Sequence, residues 1–189
     1  MDIRRLVFAR VAWMERYKGT NGDKPQNGGS YVDEEQHGHE VYNFMPKTLK
    51  GEIVARYYGC FYIGSSNDYA RNLDLSNIGA PAGSRVVADV TVVLVATKPD
   101  GSGQYIVGFY TKADLYSSII TGEDVEGGEV NYRIVADITN SKLLQSNARK
   151  FEIVGLGQSN VWYGGVDKDF KREVLNYVSQ WLPKSATKV

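Results

Sequence analysis

Apolar positions along this chain fall mostly in short blocks of strand character, and only one stretch keeps a helical period. Residues 6–13, Leu-Val-Phe-Ala-Arg-Val-Ala-Trp, form a nearly continuous apolar run and predict a strand. Residues 40–45 alternate well enough to predict another. The segment 53–63 is rich in β-branched and aromatic residues, with Gly59 expected at a bulge or bend. The strongest run, 85–97, predicts a central strand. Pro99-Asp100-Gly101-Ser102-Gly103 then supplies turn chemistry, and 104–110 returns as its antiparallel partner. Segments 130–138 and 150–154 predict further strands.

The helical stretch starts at Asp167. Phe170, Val174, Tyr177, Val178 and Trp181 recur at i, i+4, i+7, i+8 and i+11, the stripe of an amphipathic helix lying across the sheet. Asp167 is the expected N-cap, Pro183 the stop, and Trp181 belongs on the buried stripe. A shorter helix is expected within 140–147 and a single turn within 114–119. The polar, glycine-rich segment 19–31 reads as a long loop. Many strands with one or two helices predict an α+β fold: a strongly bent, mainly antiparallel sheet or small β-barrel with a C-terminal amphipathic helix. Residues 1–183 are expected to form a single domain and 184–189 a frayed tail.

Composition narrows the classes. At 189 residues the chain suits one core, burying roughly 70 % of its unfolded surface. The single cysteine, Cys60, cannot form an internal disulfide, and its aromatic neighbours mark it as a core residue. With two histidines there are too few soft ligands for a closed zinc site. The N-terminus lacks a secretory apolar region, and no run reaches a membrane-spanning length, so a cytoplasmic location is expected. Basic and acidic side chains balance at 22 each, which argues against coating nucleic acid by charge alone.

The familiar catalytic motifs are missing. Gly28-Gly29-Ser30 is not followed by the lysine of a phosphate loop, Gly155-Leu156-Gly157-Gln158-Ser159 lacks dinucleotide spacing, and no nucleophile elbow occurs. His37-Gly38-His39-Glu40 is the densest group of titratable residues. On a strand, His37 and His39 would share a face and hold a metal with Glu34, Glu35 or Glu40; the plainer reading is a loop histidine beside one bonded to backbone.

What remains is aromatic rings beside amides in glycine-flanked segments: Trp13-Met14, Gly29-Ser30-Tyr31, Tyr42-Asn43-Phe44, and Gly157-Gln158-Ser159-Asn160-Val161-Trp162-Tyr163. Rings grip the faces of a flat heteroaromatic ligand, and an amide offers its edge a donor and an acceptor together.

The same residues carry a resemblance. Residues 8–14, 28–32 and 37–44, then Val107-Gly108-Phe109-Tyr110-Thr111-Lys112-Ala113-Asp114-Leu115-Tyr116 and Gly-Gln-Ser-Asn-Val-Trp-Tyr at 157–163, resemble a bacterial domain found N-terminal to HNH-type endonucleases. That domain is similar to the PUA-like superfamily, with its EVE, YTH and SRA-type readers of one extruded nucleotide. The likeness runs from about residue 6 to 181. It implies the sensor half of a modification-dependent restriction enzyme. By position, Trp13, Tyr31, Tyr42 and Trp162 become cage candidates, and Asn43, Gln158, Ser159 and Asn160 address the base edge or an adjacent phosphate. Phe109 and Tyr110 join the base-binding set from the motif in which the family carries Gly-Trp-Tyr-Lys-Asn-Ala. The lysine is displaced here, so Lys112 inherits no role.

The resulting expectation is a non-catalytic module, without cofactor or metal, that binds double-stranded DNA carrying a modified base and works with a fused or associated nuclease. Lys18, Lys24, Lys47 and Lys50 are the candidate phosphate contacts. Two alternatives stand beside it: a metal-assisted hydrolase using His37 and His39, and a protein–protein module built on exposed tyrosines.

Overall fold

The computed structural model describes residues 1–28, 38–63, 71–157 and 159–183. Its fold is α+β: a mostly antiparallel, open sheet and one C-terminal helix. Eight strands are defined among the described residues: β1 (Leu6–Arg10), β2 (Pro46–Lys47), β3 (Arg56–Gly59), β4 (Val86–Thr97), β5 (Gln104–Glu123), β6 (Glu129–Ala136), β7 (Ser141–Leu143) and β8 (Val161–Trp162). They run in the order β2-β3-β6-β5-β4-β1-β8, with β7 paired to β5. The exception to antiparallel pairing is β1 on β4, where Leu6 stands opposite Thr91 and Arg10 opposite Val95.

The β4–β5 hairpin forms the centre, as the long apolar run and its Pro-Asp-Gly turn predict. Its β5 arm is far longer than the sequence suggests and takes in 114–119, where a helical turn is expected. The breaks in ladder register also lie on this hairpin and between β5 and β6, not at Gly59. Gly59 pairs with Ile134, and a Cβ there would come within 3.0 Å of the Tyr110 hydroxyl; glycine here serves close packing.

Strand alternation divides the core into two faces. On β1, Val7 and Ala9 point to one face, together with Trp13, Tyr17, Phe44, Tyr110 and Ile134. Leu6 and Phe8 point to the other, where Val93, Val95, Ile106 and Phe109 meet helix α1 (Lys168–Gln180). Asp167 caps α1 as predicted, accepting from the N–H groups of Asp169 and Phe170. Val174, Leu175 and Val178 are its buried residues, each contributing roughly 2 kcal/mol of apolar burial. Trp181 corrects the expectation. It follows the helix as its C-cap, is 37 % exposed, and meets the stripe at the Tyr177 ring.

Other local expectations also give way. Residues 40–45 do not make a strand, because His39–Tyr42 closes into a 3₁₀ turn. The segment 140–147 holds two 3₁₀ turns flanking β7 rather than a helix. Residues 150–154 contribute one isolated bridge, Glu152 to Tyr105. No helix among the described residues is long and apolar enough to cross a membrane.

Candidate functional site

Four successive backbone N–H groups at the end of β1 bond to four different parts of the chain. Arg10 donates to the Asn160 carbonyl at 2.9 Å, Val11 to Val95 at 2.9 Å, Ala12 to the Glu40 carboxyl at 2.9 Å, and Trp13 to Gln26 at 2.7 Å. A strand end normally leaves such donors to solvent; here they gather the 157–162 segment, the 3₁₀ turn at 39–42 and the loop after Trp13 around one point.

The loop is itself held by a carboxylate. Buried Asp23 accepts from the N–H groups of Glu15 and Arg16 at 2.7 Å each and of Tyr17 at 3.0 Å. The Tyr17 hydroxyl donates to the Ala12 carbonyl, the Gly19 N–H donates to the Val41 carbonyl, and the Phe44 N–H to the Tyr17 carbonyl. Loop and turn are thereby zipped together, with the Tyr42 ring lying against Gly19 and 46 % exposed.

The inner side of the same turn is polar and covered. Glu40 is 3 % exposed, and burial pushes its carboxyl up to about 7, against the opposing pull of the Ala12 N–H and the Arg10 charge. Asn43 is fully buried; its Oδ1 accepts from the Cys60 N–H at 2.7 Å, while its Nδ2 has no hydrogen-bond partner among the described residues. The Tyr110 hydroxyl donates to the Asn43 carbonyl. Phe44 stacks on Tyr110 at 5.2 Å and meets Tyr17 and Tyr57 edge-on at 5.9 and 5.6 Å. A buried carboxyl and a buried amide thus stand against an aromatic wall.

No protein-family model matches this chain, and no curated protein or solved structure matches it either. The reading therefore rests on the geometry.

The candidates from sequence sort clearly. Trp13, Tyr42, Asn43, Tyr110 and Asn160 gather around the end of β1. Trp13 is buried under the Arg149 guanidinium, 4.6 Å from the ring centroid. Ser159 is exposed near them, bonding the Val161 carbonyl. Trp162 and Phe109 belong to the opposite face of the sheet: Trp162 packs on Phe8 at 5.1 Å and Phe170 at 5.5 Å, and Phe109 is buried beside α1. Trp13 and Trp162 therefore do not share a cage. Tyr31 and Gln158 lie outside the described residues.

Of the candidate phosphate contacts, Lys47 and Lys50 are neutralised by Asp124 at 2.6 Å and Glu123 at 2.5 Å. Lys18 and Lys24 stand exposed on the loop whose Gly19 lies against the Tyr42 ring. His39 is half-buried, with burial lowering its pKa, and its Nε2 lies 2.9 Å from the Asn131 amide. His37, Glu34 and Glu35 are outside the described residues, and the described residues hold no group of three metal-ligating side chains. Burial pushes the Cys60 thiol up to about 12, as suits a core cysteine.

Sequence reasoning named Glu40 only as a possible metal ligand and did not foresee its burial, nor that of Arg133 on β6. The only signal for Glu40 was a carboxylate inside an otherwise apolar and aromatic run. Arg133 falls within 130–138, a segment whose sequence predicts a strand and no more.

Proposed function

We propose that this chain is a non-catalytic reader of a modified base flipped out of double-stranded DNA, the specificity module of a modification-dependent restriction system, on a bent, PUA-like sheet. The observation that carries this reading is the Glu40–Asn43 pair. Each side chain has one end fixed on a backbone N–H, and Asn43 keeps an unused amide donor in an aromatic interior. Carboxyl and amide together offer acceptor and donor groups for the edge of an amino-bearing base. Tyr42 adds an exposed ring on the outside of the same turn, and Lys18 and Lys24 are exposed on the loop packed against that turn, without an ion pair among the described residues.

Both edge groups are covered, so a base reaches them only as the turn carrying Tyr42 shifts outward. Flipping costs a few kcal/mol, and one stacked ring with two edge bonds is of the size needed to offset it. With a balanced net charge, affinity for unmodified DNA is modest and falls with salt.

The test is fluorescence anisotropy with matched duplexes carrying cytosine, 5-methylcytosine, 5-hydroxymethylcytosine or N6-methyladenine, at two salt concentrations. Preference for a modified duplex that disappears in Glu40→Gln, with the fold intact by circular dichroism, supports the reading. Equal binding to every duplex overturns it.

A further inference from the structure

The chain contains three dipeptides in which glycine follows an Asn or Asp: Asn21-Gly22, Asn27-Gly28 and Asp100-Gly101. Glycine has no side chain to shield its peptide nitrogen, which can close on the preceding side-chain carbonyl to form a succinimide ring. The structure treats the three differently. Asn27 is restrained, because its Nδ2, the group that would have to leave, donates to the Lys98 carbonyl at 2.8 Å. Asp100 is restrained by charge. Hydrogen bonds from Ser102 and the Lys98 ammonium at 3.0 Å hold its carboxyl down at about 2, and an ionised carboxylate repels a nucleophile.

Asn21 has neither restraint. It is exposed on the loop after Trp13, in a turn closed by the Asp23 N–H on the Thr20 carbonyl at 3.2 Å. Its side-chain amide and the Gly22 N–H make no hydrogen bond among the described residues. What is bonded is the Asn21 main-chain carbonyl, which accepts from Arg16 Nη2 at 2.8 Å.

That carbonyl belongs to the peptide bond whose nitrogen is Gly22. When the Gly22 N–H gives up its proton, the negative charge spreads onto the Asn21 oxygen, and a guanidinium bonded there stabilises it. Arg16 therefore sits where it makes the Gly22 nitrogen a better nucleophile. The turn requires glycine for this: Gly22 has a φ of 67°, and a Cβ there would stand 3.1 Å from Arg16 Nη2.

We propose that Asn21-Gly22 is a self-modification site, activated by Arg16, at which the folded chain converts its own asparagine to aspartyl and isoaspartyl forms. The Gly22 nitrogen loses its proton to solvent and bonds to Asn21 Cγ; the Cγ–Nδ2 bond breaks, and the leaving nitrogen takes a proton from water and departs as ammonia. Water then opens the succinimide at either carbonyl. One water is consumed and one ammonia released, with no change of oxidation state.

The product places a negative charge on the loop that carries Arg16, Lys18 and Lys24. Its isoaspartyl form also adds a main-chain methylene two residues before Asp23, the anchor of that loop. On the base-reader reading above, the modified protein binds DNA more weakly; the chemistry itself stands apart from that reading.

The experiment incubates the full chain at mildly alkaline pH, folded and in urea, and follows the amide-to-acid mass change at positions 21 and 27 by peptide mapping. In the folded chain Asn21 is expected to react well ahead of Asn27, and in urea the two should react at similar rates. Arg16→Leu, a change at an exposed side chain, should slow the folded reaction at Asn21 by roughly threefold to tenfold, the scale of an exposed charge-assisted hydrogen bond. Equal folded rates at 21 and 27, or a rate at Asn21 that is unchanged or faster in Arg16→Leu, overturn the inference. Anisotropy with Asn21→Asp tests the consequence separately: weaker duplex binding supports it, and unchanged binding by a protein that does bind DNA overturns it.

Discussion

Glu40 and Asn43 lie three residues apart on the 39–43 turn, and each ties one side-chain oxygen to the N–H of a different strand end, Ala12 at 2.9 Å and Cys60 at 2.7 Å. In a 3₁₀ turn, side chains at i and i+3 eclipse, so both point inward together. The turn thus clamps the ends of β1 and β3 while leaving the Asn43 amide nitrogen without a partner among the described residues.

This clamp makes stability depend on pH in a defined direction. Burial holds the Glu40 carboxyl at about 7, above its usual value of 4.5, so the folded chain binds more protons than the unfolded one between those values. Glu40 costs nothing below about 4.5; its penalty grows as pH rises towards 7 and stays constant above, reaching about 3 kcal/mol. Urea unfolding at pH 5 and pH 8 is expected to show Glu40→Gln gaining stability over the unaltered protein mainly at pH 8. An equal effect at both pH values would place the carboxyl in an ordinary ionised state.

Asp23 anchors the loop after Trp13 through hydrogen bonds. It satisfies three backbone donors, so Asp23→Ala is expected to cost about 3 kcal/mol and lower Tm by about 10 °C. The loop carries Lys18 and Lys24, and DNA affinity should fall with it. A thermal-unfolding scan paired with anisotropy checks both effects.

The separation of the aromatic candidates predicts a split between two variants. Tyr42→Ala removes an exposed ring and should change stability by less than about 0.5 kcal/mol while weakening binding to the preferred duplex. Trp162→Ala removes a partner of Phe8 and Phe170 and should cost on the order of 2 kcal/mol, leaving duplex discrimination in the folded fraction unchanged. Loss of discrimination in Trp162→Ala alone would move the base contact to the other face of the sheet.

Gly108 tests the aromatic wall. A Cβ there would stand 2.5 Å from Phe44 Cζ and 2.9 Å from the Lys142 carbonyl, so something must move. Gly108→Ala is expected to cost about 1–3 kcal/mol by displacing Phe44 from Tyr110. Near-ultraviolet circular dichroism should register the lost ring packing before global unfolding does.

The sequence by itself determined the parts governed by local pattern. A long run rich in Val and Thr followed by Pro-Asp-Gly predicts the β4–β5 hairpin, and an aspartate ahead of a 3.6-residue stripe marks the start of α1. It also brought Asn43 and Tyr42 forward, because a ring beside an amide is visible in one dimension. Tertiary structure decided the rest. Trp13 and Trp162 look alike in sequence, yet strand alternation carries them to opposite faces, a parity that appears only once β8 pairs with β1. The 39–42 turn reads as a strand because its alternation is real; the Ala12 and Cys60 donors that bend it inward come from residues distant in the chain. Arg133 is hidden for the same reason: the carbonyls that hold its guanidinium, those of Ser117 and Arg71, come from other parts of the chain.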